Sequence, residues 1–318
     1  MCDLSIIIVS WNTLELTRNC LTSIMSCCIN LSTEIFVVDN ASSDGSPEMV
    51  LREFPGVSLV HNDNNLGFAK ANNAAIREAA GKYICLINSD VIVLPNCVQT
   101  MFAFLEENIE VGIIGPKMIT PCGKPGPSCM RMPTLGLCAS QAFGLHRFSN
   151  RFELHVNNYF AESAQDVAVL NGWFWMVRTL ALESVGLLDE RFFMFGEDID
   201  WCSRFWKHQW KVVYLPTAAS IHLSGGSSAR DPVRFYIQLQ QARLQFWKCH
   251  YNKLSQCICW FIMTLHQLVR LLVRGFYYIT LPKQRVITVQ GLTANVACLI
   301  SLLGIRFPAR VNRSGSGK

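Results

Sequence analysis

Over roughly the first 120 residues, short β-branched runs alternate with stretches of helical periodicity. Residues 4–9, Leu-Ser-Ile-Ile-Ile-Val, are apolar almost throughout, the pattern of a strand covered on both faces. From residue 13 to about 25 the spacing turns helical, with Leu16, Cys20, Leu21 and Ile24 on one side. A second strand over 34–38 ends at Asp39-Asn40, and Ser46-Pro47 opens the helix that follows. Strands over 57–60, 83–87 and 111–114, separated by helices over 68–80 and 95–107, complete the alternation. This order predicts an α/β domain built on a mostly parallel, doubly wound sheet flanked by helices, with right-handed crossovers. Ligands of such sheets bind beyond the carboxyl ends of the strands, where Ser10-Trp11-Asn12, Asp39 and Asp90 all fall.

Residues 120–165 are rich in Pro, Gly and Ser without a period, and predict a long mobile loop. A strand over 167–170 follows, then the run Asn171-Gly172-Trp173-Phe174-Trp175-Met176, a helix over about 199–208 and a strand over 210–215. The pattern changes near residue 231, and 233–250 predict a basic, aromatic-rich helix. Residues 257–281 are long enough to cross a bilayer, but Arg270 and Arg274 lie well inside them. Each would cost roughly 2.5–3.5 kcal/mol at the bilayer centre. Four apart, they share a helix face, so the expectation is an amphipathic helix in the membrane interface with Arg toward the headgroups. A core helix, or one through which the chain forms a homodimer, is the alternative, and the apolar stretch 291–305 is too short to span. The chain thus divides into residues 1–230, with a nucleotide-binding half (1–120) and an acceptor half (165–230), and a helical, membrane-associated extension over 231–318.

Composition narrows the classes of function. Half of the 318 residues are hydrophobic and 16% are charged, below the usual quarter, so part of the protein faces something other than water. The net charge of +5 sits mostly toward the C-terminus beside apolar stretches, which fits an anionic membrane surface. No basic run with interleaved aromatics points to nucleic acid. The 14 cysteines are irregularly spaced and form no Cys-x-x-Cys, the usage of reduced thiols in a cytoplasm. A strand begins almost at once, with no charged and apolar leader before it, which argues against secretion.

Glu197, Asp198 and Asp200 stand within four residues, directly after Phe192-Phe193-Met194-Phe195 and at a predicted helix start. An apolar wall behind acids keeps water from a group that moves a proton, and solubility needs no such wall. Five further landmarks accompany this cluster in the chain: Val9-Ser10-Trp11-Asn12; Val37-Val38-Asp39-Asn40-Ala41-Ser42-Ser43-Asp44-Gly45-Ser46; Asn65-Leu66-Gly67-Phe68 with Asn73; Leu86-Ile87-Asn88-Ser89-Asp90; and His222-Leu223-Ser224-Gly225-Gly226-Ser227. Over roughly residues 4–250 the set resembles the family-2 glycosyltransferases of GT-A fold, and among them the rhamnosyltransferase-like members.

The resemblance implies a role for each landmark. Asp39 would accept the ring N–H of a uracil or thymine, with Ser10, Trp11, Asn12, Asn65, Gly67, Asn73 and Ser89 around the nucleotide. Asp90, the last residue of a degenerate Asp-x-Asp pattern, would hold a divalent cation (Mg²⁺ or Mn²⁺) on the donor diphosphate, with His222 as the second protein ligand. Asp198 would be the general base, and Glu197 beside it would either orient the acceptor or cap the helix. A helix N-terminus lowers the pKa of Asp198 and the neighbouring acids raise it again. Gly172, Trp173 and Asp200 would line the acceptor side, although Asp200 also stands four residues before Arg204 and can pair within the helix. Arg230 and Arg234 are either phosphate contacts or solvated charges. The implied activity is an inverting transfer of a sugar, rhamnose as the first choice, from a dTDP- or UDP-sugar to a glycan or lipid-linked acceptor at the inner face of the plasma membrane. A dehydrogenase would need a Gly-x-Gly-x-x-Gly turn after the first strand, and Ser10-Trp11-Asn12-Thr13 has none. A catalytically inactive, sugar-nucleotide-binding scaffold is the alternative.

Overall fold

The computed structural model describes residues 2–27, 31–145, 148, 149, 151, 153–156, 161–223, 231–280 and 285–304. Ser224, Gly225, Gly226, Ser227 and Arg230, expected near the phosphates or the cation, lie outside the described residues. The chain divides into two compact units, residues 1–231 and 232–318.

In chain order the first unit comprises β1 (Leu4–Ser10), α1 (Leu14–Cys27), β2 (Thr33–Asp39), α2 (Ser46–Glu53), β3 (Ser58–His61), α3 (Phe68–Ile76), β4 (Tyr83–Asn88), β5 (Val91–Val93), α4 (Cys97–Glu107) and β6 (Val111–Ile119). Then come β7 (Cys129–Met130), α5 (Leu135–Ala142), β8 (His155–Val156), β9 (Gln165–Asp166), β10 (Val169–Leu170), β11 (Phe174–Arg178), α6 (Thr179–Val185), α7 (Glu197–Lys207) and β12 (Lys211–His222). The main sheet runs β3-β2-β1-β4-β11-β6-β12-β5, with β9 against β12. β3, β2, β1 and β4 are mutually parallel, as the alternation predicted.

Burial on both faces follows from the sequence of β1. Leu4, Ile6 and Ile8 pack with α1, α2 and α4, while Ile7 on the other face packs with α3, α6 and α7. A strand covered twice has no polar face to show, hence its unbroken apolar run.

Several elements depart from the sequence reading. β11 enters the sheet antiparallel between β4 and β6. Its Phe-Trp-Met-Val run, buried on both faces, carries no mark of direction. Within 120–165 the chain forms α5, capped by the Thr134 hydroxyl on the Leu137 N–H at 3.2 Å, and the strands β7 and β8, which join β10 in a small antiparallel sheet. β12 continues past Pro216 to His222 because its register on β6 slips between Leu215 and Ala219, so the proline need not fill a ladder position. α7 begins at Glu197, two residues earlier than expected, since Phe195 (φ 69°) and Gly196 (φ 82°) turn the chain into it.

The second unit contains α8 (Pro232–His250), α9 (Lys253–Thr280) and α10 (Arg285–Leu302). α9 is long and apolar enough to cross a membrane by length and composition. The headgroup role expected of Arg274 does not hold here. Its Nη1 donates to the Gly291 carbonyl and to Asn295 Oδ1 on α10, and a Cβ at Gly291 would lie 2.5 Å from the guanidinium carbon. Asn295 in turn bonds to Gln267 on α9, whose amide reaches Tyr236 Oη on α8 at 2.8 Å. This buried polar chain ties all three helices together.

Candidate active site

The parallel register sets Ser10 beside Asp39 and Asp39 beside His61, so the ends of β1, β2 and β3 form one rim. Asp39 is 1% exposed. Its Oδ2 accepts the Ser42 backbone N–H at 3.0 Å and lies 3.2 Å from His61 Nδ1. Its Oδ1 is buried without a partner. Leaving such an atom bare costs about 1–3 kcal/mol, and as a carboxylate oxygen it can only accept. Asn12, at φ 54°, clamps the turn after β2: its N–H donates to Ser42 Oγ at 2.8 Å, and its Oδ1 accepts the Ser43 N–H at 2.7 Å. Trp11 beside it is half-buried.

Ser10 and Ser89 face inward, contrary to the nucleotide contact expected of them. Ser10 Oγ lies 3.0 Å from Thr17 Oγ1 and 3.1 Å from Thr13 Oγ1, and Thr13 lies 3.0 Å from Ser89 Oγ. The hydroxyls form a buried network joining β1 and α1 to the end of β4, the point where the strand order reverses. Ligand crevices form at such points.

Asn65, Gly67 and Asn73 also act on the protein itself. Asn65 Oδ1 accepts the Gly67 N–H at 2.9 Å, an Asx turn that starts α3. Gly67 (φ 82°) makes its close approach to Phe193: a Cβ there would meet the Phe193 carbonyl oxygen at 2.2 Å, and the Phe68 N–H donates to that oxygen at 2.7 Å. Asn73 is a clamp rather than a nucleotide contact. Its amide exchanges hydrogen bonds with Leu188 at 2.8 and 3.1 Å and also reaches Glu190 at 3.1 Å, leaving no atom free. Together these residues fix the loop that leads to the acidic cluster.

Beyond β4, Asp90 Oδ1 lies 3.1 Å from His222 Nε2, and the Leu223 N–H donates to the Asp90 carbonyl at 2.9 Å. The antiparallel pairing of β5 with β12 brings these residues together from 132 positions apart. The His222 ring stacks on Trp173, centroids 5.5 Å apart at 18°. Trp173 is 3% exposed, so its expected role against an acceptor sugar is not available; it is the floor under His222. Two converging oxygen and nitrogen donors suit one divalent cation. Among the described residues no group of three His, Cys, Asp or Glu does so, and further ligands would come from diphosphate and water.

Asp198 and Glu197 open α7. Asp198 Oδ1 accepts the Ile199 N–H at 2.9 Å. Strand and helix meet closely here: a Cβ at Gly172 would lie 3.4 Å from Asp198 Cβ and 3.1 Å from the Trp175 ring, which would have to give by a few tenths of an ångström. Burial pushes the Asp198 carboxyl above its ordinary range, against backbone N–H groups led by Ile199 and Gly172 that hold it down. The helix N-terminus therefore does not win. Glu197 is raised as well, first by burial and then by the charge of Asp198, and its Oε2 is buried without a partner. Asp200 turns away from any acceptor: its Oδ2 takes Arg204 Nη2 and Nε at 2.7 and 2.9 Å, and Arg204 also bonds the Val185 carbonyl at 2.7 Å. The helical pairing rule gave the right partner for this residue.

Asp39 and Asp90 thus lie along one edge of the sheet, and Asp198, at the start of α7, meets that edge at Gly172. β2 and β4 flank β1 at about 10 Å from each other, and the Trp173 carbonyl, beside Gly172, accepts the Asn88 N–H at 3.0 Å. Sequence reasoning missed Thr13, Thr17, Ser42 and His61. For His61 the usable signal was its place at the end of a strand next to Asp39.

The family model for glycosyl transferase family 2 matches residues 5–128. An N-acetylglucosaminyl-diphospho-decaprenol L-rhamnosyltransferase of Mycobacterium tuberculosis is 30% identical over 226 residues, 64% of this chain and 72% of that protein. The chain belongs to glycosyltransferase family 2. A dTDP-rhamnosyl transferase of Shigella flexneri is 25% identical over 228 residues, 68% of this chain and 71% of that protein. Among solved structures, a mannosyltransferase of Pyrobaculum calidifontis in complex with GDP-Man and Mn²⁺ superposes with a TM-score of 0.54 at 17% identity, covering 96% of this chain and 76% of that one. This glycosyltransferase therefore has the GT-A fold, and it is a hexosyltransferase with rhamnosyltransferase relatives.

Proposed function

We propose that this glycosyltransferase moves rhamnose, with inversion, from a pyrimidine nucleotide-diphosphate donor such as dTDP-rhamnose to a lipid-linked or glycan acceptor in surface polysaccharide synthesis, on the cytoplasmic face of the membrane. One observation carries the reading: the open oxygen of Asp39 and the Asp90–His222 pair share one edge of the sheet, and the buried Asp198 meets that edge at Gly172. The names of the Mycobacterium and Shigella relatives support the choice of rhamnose, and the former's diphospho-decaprenol supports a lipid-linked acceptor.

Asp39 Oδ1 accepts the imide N–H of uracil or thymine. Cytosine offers an acceptor at that atom and is disfavoured, a difference worth roughly 1.5–3 kcal/mol for a charge-assisted bond. A divalent cation held by Asp90 and His222 would neutralise the charge that grows on the departing diphosphate. Asp198 takes the proton from the acceptor hydroxyl as its oxygen attacks the anomeric carbon, and the sugar–phosphate bond breaks on the opposite side. Burial makes Asp198 a better base than an exposed aspartate, which suits proton removal near neutral pH. Glu197, buried beside it, keeps its own proton and leaves the negative charge on Asp198.

The test is transfer and donor hydrolysis with a panel of nucleotide sugars, for wild type and Asp198→Asn. Loss of both activities by about 10²–10⁴-fold, with nucleotide binding retained, is the expected result. Undiminished turnover in the variant would remove the assigned base, and a preference for purine donors would remove the role of Asp39.

A further inference from the structure

The helical unit, residues 232–318, contains 12 Lys or Arg and no Asp or Glu, so it carries +12 while residues 1–231 carry −7 of the net +5. Within it, α9 presents an apolar face that no described residue covers. At 100° per residue, Leu254, Phe261, Leu268, Leu272, Phe276 and Ile279 fall in an arc of roughly 80°, and each is between 47% and 75% exposed. Exposed Val269 and Val273 widen the arc to roughly 140°. The buried Cys259, Met263 and Gln267 lie on the opposite side, as does Arg274 with its bonds to α10.

We propose that this face of α9 docks on an anionic lipid bilayer, lying flat with its Leu, Phe and Ile side chains among the acyl chains. The proposal deepens the reading above and rests on it, since a lipid-linked acceptor is what such docking would serve. The arc is wider than the narrow seam of a coiled coil. A second copy of the unit would bring +12 against +12 with no acid on either side to pair across the contact. An anionic surface complements that charge, and an uncharged helix face of this width enters the headgroup boundary. Spanning is disfavoured by the polar chain of Tyr236, Gln267, Asn295 and Arg274, which fixes the other side of α9 to its neighbours.

Co-sedimentation of the full chain with vesicles tests this directly. Binding to vesicles containing phosphatidylglycerol is expected to exceed binding to pure phosphatidylcholine by about fivefold for each cation that reaches the surface, and to weaken as salt is added. The double variant Leu272→Glu, Phe276→Glu changes exposed positions only. It is expected to lose vesicle binding while keeping its thermal unfolding and its affinity for UDP and dTDP. Equal partition onto both vesicle types, or a variant that still binds, would overturn the proposal. So would a wild type that ignores vesicles but sediments as a dimer in analytical ultracentrifugation, with a monomeric variant; the face would then belong to a second copy. Nucleotide binding is read separately, so a failure here leaves the donor-site reading standing.

Discussion

Replacing Asp39 by Asn keeps the shape of the side chain and removes one acceptor. In the folded protein Oδ2 is already engaged by the Ser42 N–H at 3.0 Å and by His61 Nδ1 at 3.2 Å, and only Oδ1 is open. The Asn oxygen keeps the bond to Ser42, so the amide nitrogen takes the open position and presents hydrogens there. Against uracil or thymine two donors then face each other, and the charge-assisted bond of roughly 1.5–3 kcal/mol is lost, a Kd about 10–150-fold weaker. Cytosine, with an acceptor at the same ring atom, gains a partner, so the preference of UDP over CDP shrinks or reverses. Titration calorimetry with UDP, dTDP and CDP measures all three affinities on both proteins. Unchanged UDP and dTDP affinity in the variant would show that the open oxygen does not face the base. A uniform loss across all three nucleotides would instead assign Asp39 to the turn after β2.

The raised Asp198 carboxyl gives transfer an acidic limb above the ordinary aspartate value of about 3.9, so activity climbs with pH across that range; a limb at or below the ordinary value would refute the burial argument. For Glu197 the folded state binds the proton more tightly than the unfolded chain, so stability is lost as pH rises through the window above about 4.3. Glu197→Gln should therefore raise Tm by an amount that grows from acid toward neutral pH, and a pH-independent gain would contradict this. Gly67→Ala sets a Cβ 2.2 Å from the Phe193 carbonyl at a φ of 82° and should cost of order 1–3 kcal/mol in urea melts, together with a drop in transfer as the 193–198 loop shifts. Asp90→Ala and His222→Ala should each abolish the strengthening of UDP binding by Mg²⁺ or Mn²⁺, as read by calorimetry with and without the ion; full retention in either variant would remove that residue from the cation.

Local chemistry made much of the first half legible. Buried parallel strands must be apolar on both faces, so the β-branched runs of β1, β2 and β4 announced themselves, and the acids at their ends followed from where such sheets bind ligands. The acidic cluster at Glu197–Asp198 was visible as charge directly after an aromatic run. What was not legible is whatever depends on a partner distant in the chain. β11 reads as a strand, but nothing in it says that it runs antiparallel between β4 and β6.

Periodicity and charge are local or additive properties, so the α/β order, the candidate acids and the acid-free composition of the last 87 residues can be read from the chain alone. Which polar groups remain open depends on packing. Hydroxyls at Ser10 and Ser89, the amide of Asn73 and the carboxylate of Asp200 looked equally available in the chain, and packing gave each a protein partner. The same packing left Asp39 Oδ1 and Glu197 Oε2 bare and buried. Hydrogen-bond satisfaction is settled by neighbours that the fold brings from far along the chain, as 132 positions separate Asp90 from His222.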